Sequence, residues 1–230
     1  MLVLYLHGFA SSARSSKATF FGRKFLEEAG IRLETPDFND PDFSTVTITR
    51  MVDQVLGVLD AYPDDRAVLI GSSLGAFVAV QVAVARPDRV QCLILLAPAL
   101  EFGPSTRSGP SRAESRDGGN QMKSLGDVGI EEWKRTNRLD VFHYGYGRMM
   151  PVQYELYADA RRYDCIHAAL NMPIQVFQGR RDDAVDPLVV EQWSRARPNV
   201  ELHMLDDDHQ LAASVDYLWE QMRRFLGIAL

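Results

Sequence analysis

Gly71-Ser72-Ser73-Leu74-Gly75 spells G-x-S-x-G. The apolar run Ala67-Val68-Leu69-Ile70 leads directly into it, and an apolar helical stretch, residues 74–85, leaves it. A serine on so sharp a strand-to-helix turn needs glycine two residues away on both sides, because larger neighbours would collide. The turn lifts the Ser73 hydroxyl above the sheet at the positive end of a helix, where it can attack a carbonyl carbon. Ser72 is a rival hydroxyl but lacks that glycine spacing. A phosphate-binding loop is excluded, because no G-x-x-x-x-G-K occurs. A serine hydroxyl is a weak nucleophile at neutral pH and needs a histidine to take its proton. Five histidines are available. His7 precedes the nucleophile in the first turn. His143 and His167 fall in or near an irregular segment. His203 lies inside a strand pattern, where a lone histidine is usually structural or at the surface. His209 follows Asp206-Asp207-Asp208 in the loop between the last strand and the last helix, and is the expected base.

The acid that orients this imidazole is expected after the strand at residues 174–178, in Gly179-Arg180-Arg181-Asp182-Asp183-Ala184-Val185-Asp186-Pro187. Asp186 before Pro187 has the form of a helix N-cap with proline at the first helical position. Asp182, three residues after the glycine, can reach back over the strand end and is the favoured acid; Asp183 is the alternative. Asp206, Asp207 and Asp208 stand too close in sequence to His209 to be the first choice. The chain order is then serine, acid, histidine. His7-Gly8-Phe9 follows the first strand, and a loop there supplies one oxyanion donor while the residue after the nucleophile supplies the other. Those donors are the backbone N–H groups of Phe9 and Leu74.

The elements that must position these groups alternate. Short apolar runs at residues 2–6, 31–35, 67–71, 90–97, 174–178 and 200–205 read as strands. Between them, helical spacing places Phe21, Phe25, Leu26 and Ala29 on one face, and Ile48, Val52, Val55, Leu56 and Leu59 on another. A last helix aligns Leu211, Val215, Leu218, Trp219, Met222 and Phe225. This alternation predicts an α/β fold with a mainly parallel sheet of continuous apolar strands, helices on both faces and the site at the strand carboxyl ends. Residues 103–126 break the rhythm, being rich in Gly, Ser, Arg and Pro, and are expected to be a mobile cover on the active-site side. The aromatic-rich stretch 133–163 is expected to form cap helices, so that a cap insertion occupies about residues 99–165 of one domain spanning 1–230. Phe142, Tyr144 and Tyr146 are candidates either for lining the cap or for its core.

Composition bounds the rest. At 230 residues, 46% hydrophobic and 24% charged, the chain can bury a full core as one domain. A net charge of −6 argues against a nucleic-acid surface. Two cysteines, Cys92 and Cys165, make no disulfide scaffold and no Cys-x-x-Cys pair, and read as small buried hydrophobes in a reducing compartment. No apolar run reaches the roughly 18 residues of a membrane span. The apolar start 1–6 reads as a strand rather than a leader, and a cytoplasmic location is expected. No cofactor and no metal are required by this chemistry.

Together, LYLHGFASS, IGSSLGAFVAV, LILLAPAL, GRRDDAVDP and DDDHQL resemble the α/β-hydrolase superfamily, and within it the small bacterial YqiA-like esterases. The resemblance covers both ends of the chain and most of the sheet. It implies a compact sheet of about six strands, Ser73, Asp182 and His209 as a triad, and hydrolysis of a small-molecule carboxylic ester or thioester through an acyl-enzyme. Peptidase action on the same triad is an alternative, as is a non-catalytic binding protein that retains the fold. The oligomeric state is not specified by these features.

Overall fold

Alternation along each strand sorts the core into two layers. In the computed structural model, which describes residues 1–101 and 126–228, Leu2, Leu4 and Leu6 of β1 (Leu2–Leu6) join one apolar cluster, whereas Val3 and Tyr5 join another. β3 (Ala67–Ser72) divides in the same way, Leu69 to the first cluster and Val68 and Ile70 to the second. Successive side chains of a strand point to opposite faces, so a strand that is apolar throughout must be covered on both sides.

Helices supply that cover. α1 (Ser16–Ala29) and the final helix α7 (Val215–Phe225) bring Phe21, Phe25, Leu218, Trp219 and Met222 to one face. α2 (Ile48–Ala61), α3 (Leu74–Ala85) and α6 (Pro187–Arg195) bring Val55, Leu59, Phe77, Val190 and Trp193 to the other. The caps follow the sequence: Ser15 accepts from the Ala18 N–H, Thr47 from Arg50, and Asp186 from Leu188 with Pro187 opening the helix. With β2 (Leu33–Glu34), β4 (Val90–Leu96), β7 (Ile174–Gly179) and β8 (Val200–Leu205), the strands form a six-stranded sheet in the order β2-β1-β3-β4-β7-β8. Every pairing in it is parallel. All strand carboxyl ends therefore open on one side. Among the described residues no helix is long and apolar enough to cross a membrane.

Several sequence expectations are corrected. The second strand is only two residues long. Leu26, expected on the buried face of α1, is 60% exposed, because the face that meets the sheet is carried by Phe21 and Phe25. Leu211 is buried but precedes α7, in a loop residue with φ of 52°. The aromatic insertion is not wholly helical. After α4 (Gly126–Thr136) it forms an antiparallel hairpin, β5 (Leu139–His143) with β6 (Arg148–Val152), and then α5 (Glu155–Ala160). Val141 and His143 of β5 point inward while Phe142 is exposed, a period of two that overrides the helical reading. The polar stretch 103–126 lies outside the described residues except for Gly126, which opens α4.

Candidate active site

Ser73 stands between β3 and α3 with φ 53° and ψ −114°, a conformation that non-glycine residues rarely adopt. Its N–H donates to the Leu96 carbonyl at the end of β4, 2.9 Å away, which pins the turn to the neighbouring strand. The glycine spacing has the cause read from the sequence. A Cβ on Gly71 would stand 2.5 Å from Ala76 Cα, and one on Gly75 would press into the Leu6 carbonyl oxygen of β1. Either substitution would push α3 off the sheet and move the serine.

The end of β7 and the loop after β8 are laced together by two backbone bonds, Arg180 N–H to Leu205 O at 2.8 Å and Arg181 N–H to Asp207 O at 3.0 Å. This lacing brings Asp182 under His209. His209 Nδ1 donates to Asp182 Oδ2 at 2.9 Å, and Nε2 lies 3.1 Å from Ser73 Oγ. With its proton on Nδ1, the imidazole presents Nε2 as acceptor for the serine proton. The Asp182 carboxylate is fully buried. Its Oδ1 accepts from the N–H groups of Ala184 and Val185 at 2.9 and 2.8 Å, and its Oδ2 also accepts from Gln178 Nε2 at 2.8 Å. Burial pushes its pKa up, but His209 and these donors outweigh burial and hold the carboxyl below its usual value. Asp182 thus stays ionised while buried.

The rival residues make other contacts, although Ser72 borders the same cavity as Ser73. Ser72 bonds to the Tyr5 hydroxyl, and burial raises that phenol to about 12. Asp183 is exposed, and Asp186 caps α6. Asp206 pairs with Arg181 at the surface. His203 stacks on Phe177 at 4.7 Å and bonds to Glu201, a structural position. His167 pairs with Asp164 at the surface.

The N–H groups of Phe9 and Leu74 donate to no acceptor among the described residues. The Phe9 loop lies against the nucleophile, since a Cβ on Gly8 would be 3.4 Å from Ser73 Cβ. His7 shapes this loop: Nδ1 donates to Gly8 O at 2.9 Å, and Nε2 accepts from the Phe38 N–H at 3.0 Å. A cavity of about 700 Å³ opens over Ser73 and His209. Tyr144 and Tyr146 line it, whereas Phe142 is not among the lining residues and is 36% exposed. Arg14, Lys17 and four serines, Ser11, Ser12, Ser15 and Ser16, also line it, and the sequence reading assigned them no role. Their signal was the run Ser11-Ser12-Ala13-Arg14-Ser15-Ser16-Lys17 directly after His7-Gly8-Phe9. The two cysteines are buried and free, with thiol pKa values raised by burial.

A second histidine braces the wall of this cavity. His143 is fully buried in the hairpin; Nε2 donates to Asn39 Oδ1 at 3.0 Å and Nδ1 accepts from the Tyr146 N–H at 3.1 Å. Asn39 in turn donates to Ser11 O at 2.9 Å, tying the hairpin to the loop after β1. Only the neutral ring fits this pattern. Burial, then the nearby His7, lower its pKa to about 4, with Asp37 opposing and Arg148 assisting. The unfolded chain, with an ordinary histidine near 6.5, therefore binds more protons between about pH 6.5 and 4, and stability falls as pH falls through that window. We expect this group to remove roughly 2 kcal/mol on going from pH 7 to 4.5. Thermal melts of the wild type and His143→Gln across that range check it: the variant's melting temperature should fall less steeply, and parallel curves would contradict the assignment.

The chain is similar to known proteins over most of its length. It is 25% identical over 193 residues to the human palmitoyl-protein thioesterase ABHD10, mitochondrial, covering 80% of this chain. The chain spans 57% of that relative's length. The structure of mouse alpha/beta hydrolase domain-containing protein 10 superposes with a TM-score of 0.75 at 19% identity, covering 98% of this chain and 89% of the other. Est1E from Butyrivibrio proteoclasticus, in its ferulic acid complex, gives 0.73 at 16% identity over 98% and 87%. These likenesses give the fold, a six-stranded parallel α/β-hydrolase sheet carrying a small antiparallel insertion. Matching over residues 2–227, the chain belongs to the Uncharacterised protein family (UPF0227), which accords with the YqiA-like resemblance of its motifs.

Proposed function

We propose that this protein is a serine hydrolase that cleaves carboxylic esters through an acyl-enzyme intermediate. The observation that carries this reading is the unbroken relay from Ser73 Oγ through His209 to the buried Asp182 carboxylate, opening on a cavity. Ser73 Oγ attacks the carbonyl carbon as His209 Nε2 takes its proton, and Asp182 stabilises the imidazolium that results. The oxyanion is received by the Phe9 and Leu74 N–H groups, donors of a kind worth about 3 kcal/mol each. The carbon–oxygen bond to the leaving group then breaks, with His209 Nε2 giving its proton to the departing oxygen. Water attacks the acyl-enzyme, loses its proton to His209, and releases the carboxylic acid as the proton returns to Ser73.

A thioester substrate is a second reading, favoured by the similarity to the thioesterase ABHD10. The same steps then expel a thiol. Steady-state turnover of 4-nitrophenyl esters and acyl-thioesters of graded chain length checks both readings. We expect saturable turnover of at least one series. No turnover in either by folded protein would favour a binding protein that retains the fold.

A further inference from the structure

We propose that the cavity takes substrates whose leaving group carries an anionic substituent, received by Lys17 and Arg14; this rests on the ester-cleaving reading of Ser73. Both cations line the cavity that holds the nucleophile and the base. Lys17 Nζ donates one of its three N–H groups to the Gln210 carbonyl at 2.6 Å and forms no ion pair among the described residues. Two donors of this ammonium are therefore unused. The Arg14 guanidinium has no acceptor and no ion pair among the described residues, and Arg14 is exposed while lining the cavity. Its planar array of donors suits a carboxylate or phosphate.

Among the described residues, no acidic group nearby forms an ion pair with Lys17 or Arg14. Asp182 serves His209, and Asp208 Oδ1 accepts from the Gln210 N–H at 2.8 Å. Asp207 Oδ1 accepts from the Asp208 N–H, while its Oδ2 is buried without a partner. Asp37 is the acidic residue in the cavity lining; it accepts from the Asn39 N–H at 3.1 Å and sits 3.3 Å from His7 Nε2. Burial lowers the Lys17 pKa to about 8, with Asp208, Asp207 and Asp182 opposing that fall, so the ammonium form persists at neutral pH.

Lys17 is tied to the loop that carries the base. His209 Nε2 must hand its proton to the departing oxygen or sulfur, so the leaving group lies against His209. Lys17 bonds to Gln210, the next residue in the chain. On that ground we assign its two remaining donors to the alcohol or thiol half rather than the acyl half. Cleavage leaves the anionic substituent on the released alcohol or thiol, protonated at the reacting atom by His209.

Three esters separate the possibilities: 4-nitrophenyl butyrate, 3-carboxy-4-nitrophenyl butyrate and mono-4-nitrophenyl glutarate. We expect kcat/KM for the carboxylated leaving group to exceed that for the neutral ester by about tenfold, the size of one charge-assisted contact. Lys17→Met and Arg14→Gln should each reduce that ratio several-fold, Lys17→Arg should restore part of it, and added salt should shrink it. Reading a ratio separates anion recognition from any effect of Lys17 on the His209 loop. Turnover of all three esters with equal kcat/KM overturns the subsite and leaves the ester-cleaving reading standing, as does a ratio unchanged in both variants. A preference confined to the glutarate overturns the leaving-group assignment. No turnover of any ester, with no phosphonate adduct on the protein, overturns both readings.

Discussion

Ser73→Ala should lose on the order of 10⁶ in turnover against any ester the wild type cleaves, with the fold intact. The magnitude follows from what the substitution removes. Without Oγ no acyl-enzyme can form, and His209 loses the hydroxyl 3.1 Å from its Nε2. What survives is water attacking a substrate still held near the oxyanion donors, a residual that resembles the background left in other triad knockouts. The conformation at residue 73 tolerates the change, since alanine keeps the Cβ and the backbone bond to Leu96. Ser72→Ala is the control. Ser72 bonds to Tyr5, so its loss should cost stability more than rate. A Ser73→Ala enzyme within tenfold of wild type would remove Ser73 from the chemistry.

The second large effect concerns Asp182. Asp182→Asn should cut turnover by roughly 10⁴ while changing little in shape. The amide can offer an N–H toward His209 Nδ1 and so favour the tautomer with its proton on Nε2, which can no longer accept from Ser73. The buried imidazolium would also lose its counter-charge. Asp183→Asn should change turnover by less than about threefold, because that side chain is exposed and serves no ring. Turnover of the two variants on one ester, with circular dichroism to confirm folding, decides the ranking. The reverse order would give the orienting role to Asp183.

The parts of this molecule legible in the sequence were those whose cause is local. Gly71 and Gly75 reveal the elbow because the clashes they avoid come from residues at fixed short spacing and from the adjoining strand. Continuous apolar strands reveal a doubly covered sheet because both faces of each strand must be buried. Asp182 and His209 could be chosen because a parallel sheet gathers its strand carboxyl ends on one side. Where cause is not local, the reading failed. The hairpin at β5–β6 offers only a short alternation, Val141 and His143 inward about an exposed Phe142, and aromatics occur in cap helices as readily. Lys17 and Arg14 gave no sign of the site because their relevance depends on a contact between residues 193 apart, Lys17 and Gln210. The brace from His143 through Asn39 to Ser11 joins three segments whose meeting no periodicity reveals.

Covalent capture tests the central claim most directly. A fluorophosphonate reacts readily only with a hydroxyl that has a base to take its proton and donors to receive the charge developing on phosphoryl oxygen. Intact mass followed by peptide mapping of the labelled wild type should show one adduct per chain, on Ser73, and none in Ser73→Ala. An adduct on Ser72, or folded protein that takes no label at all, would contradict the account.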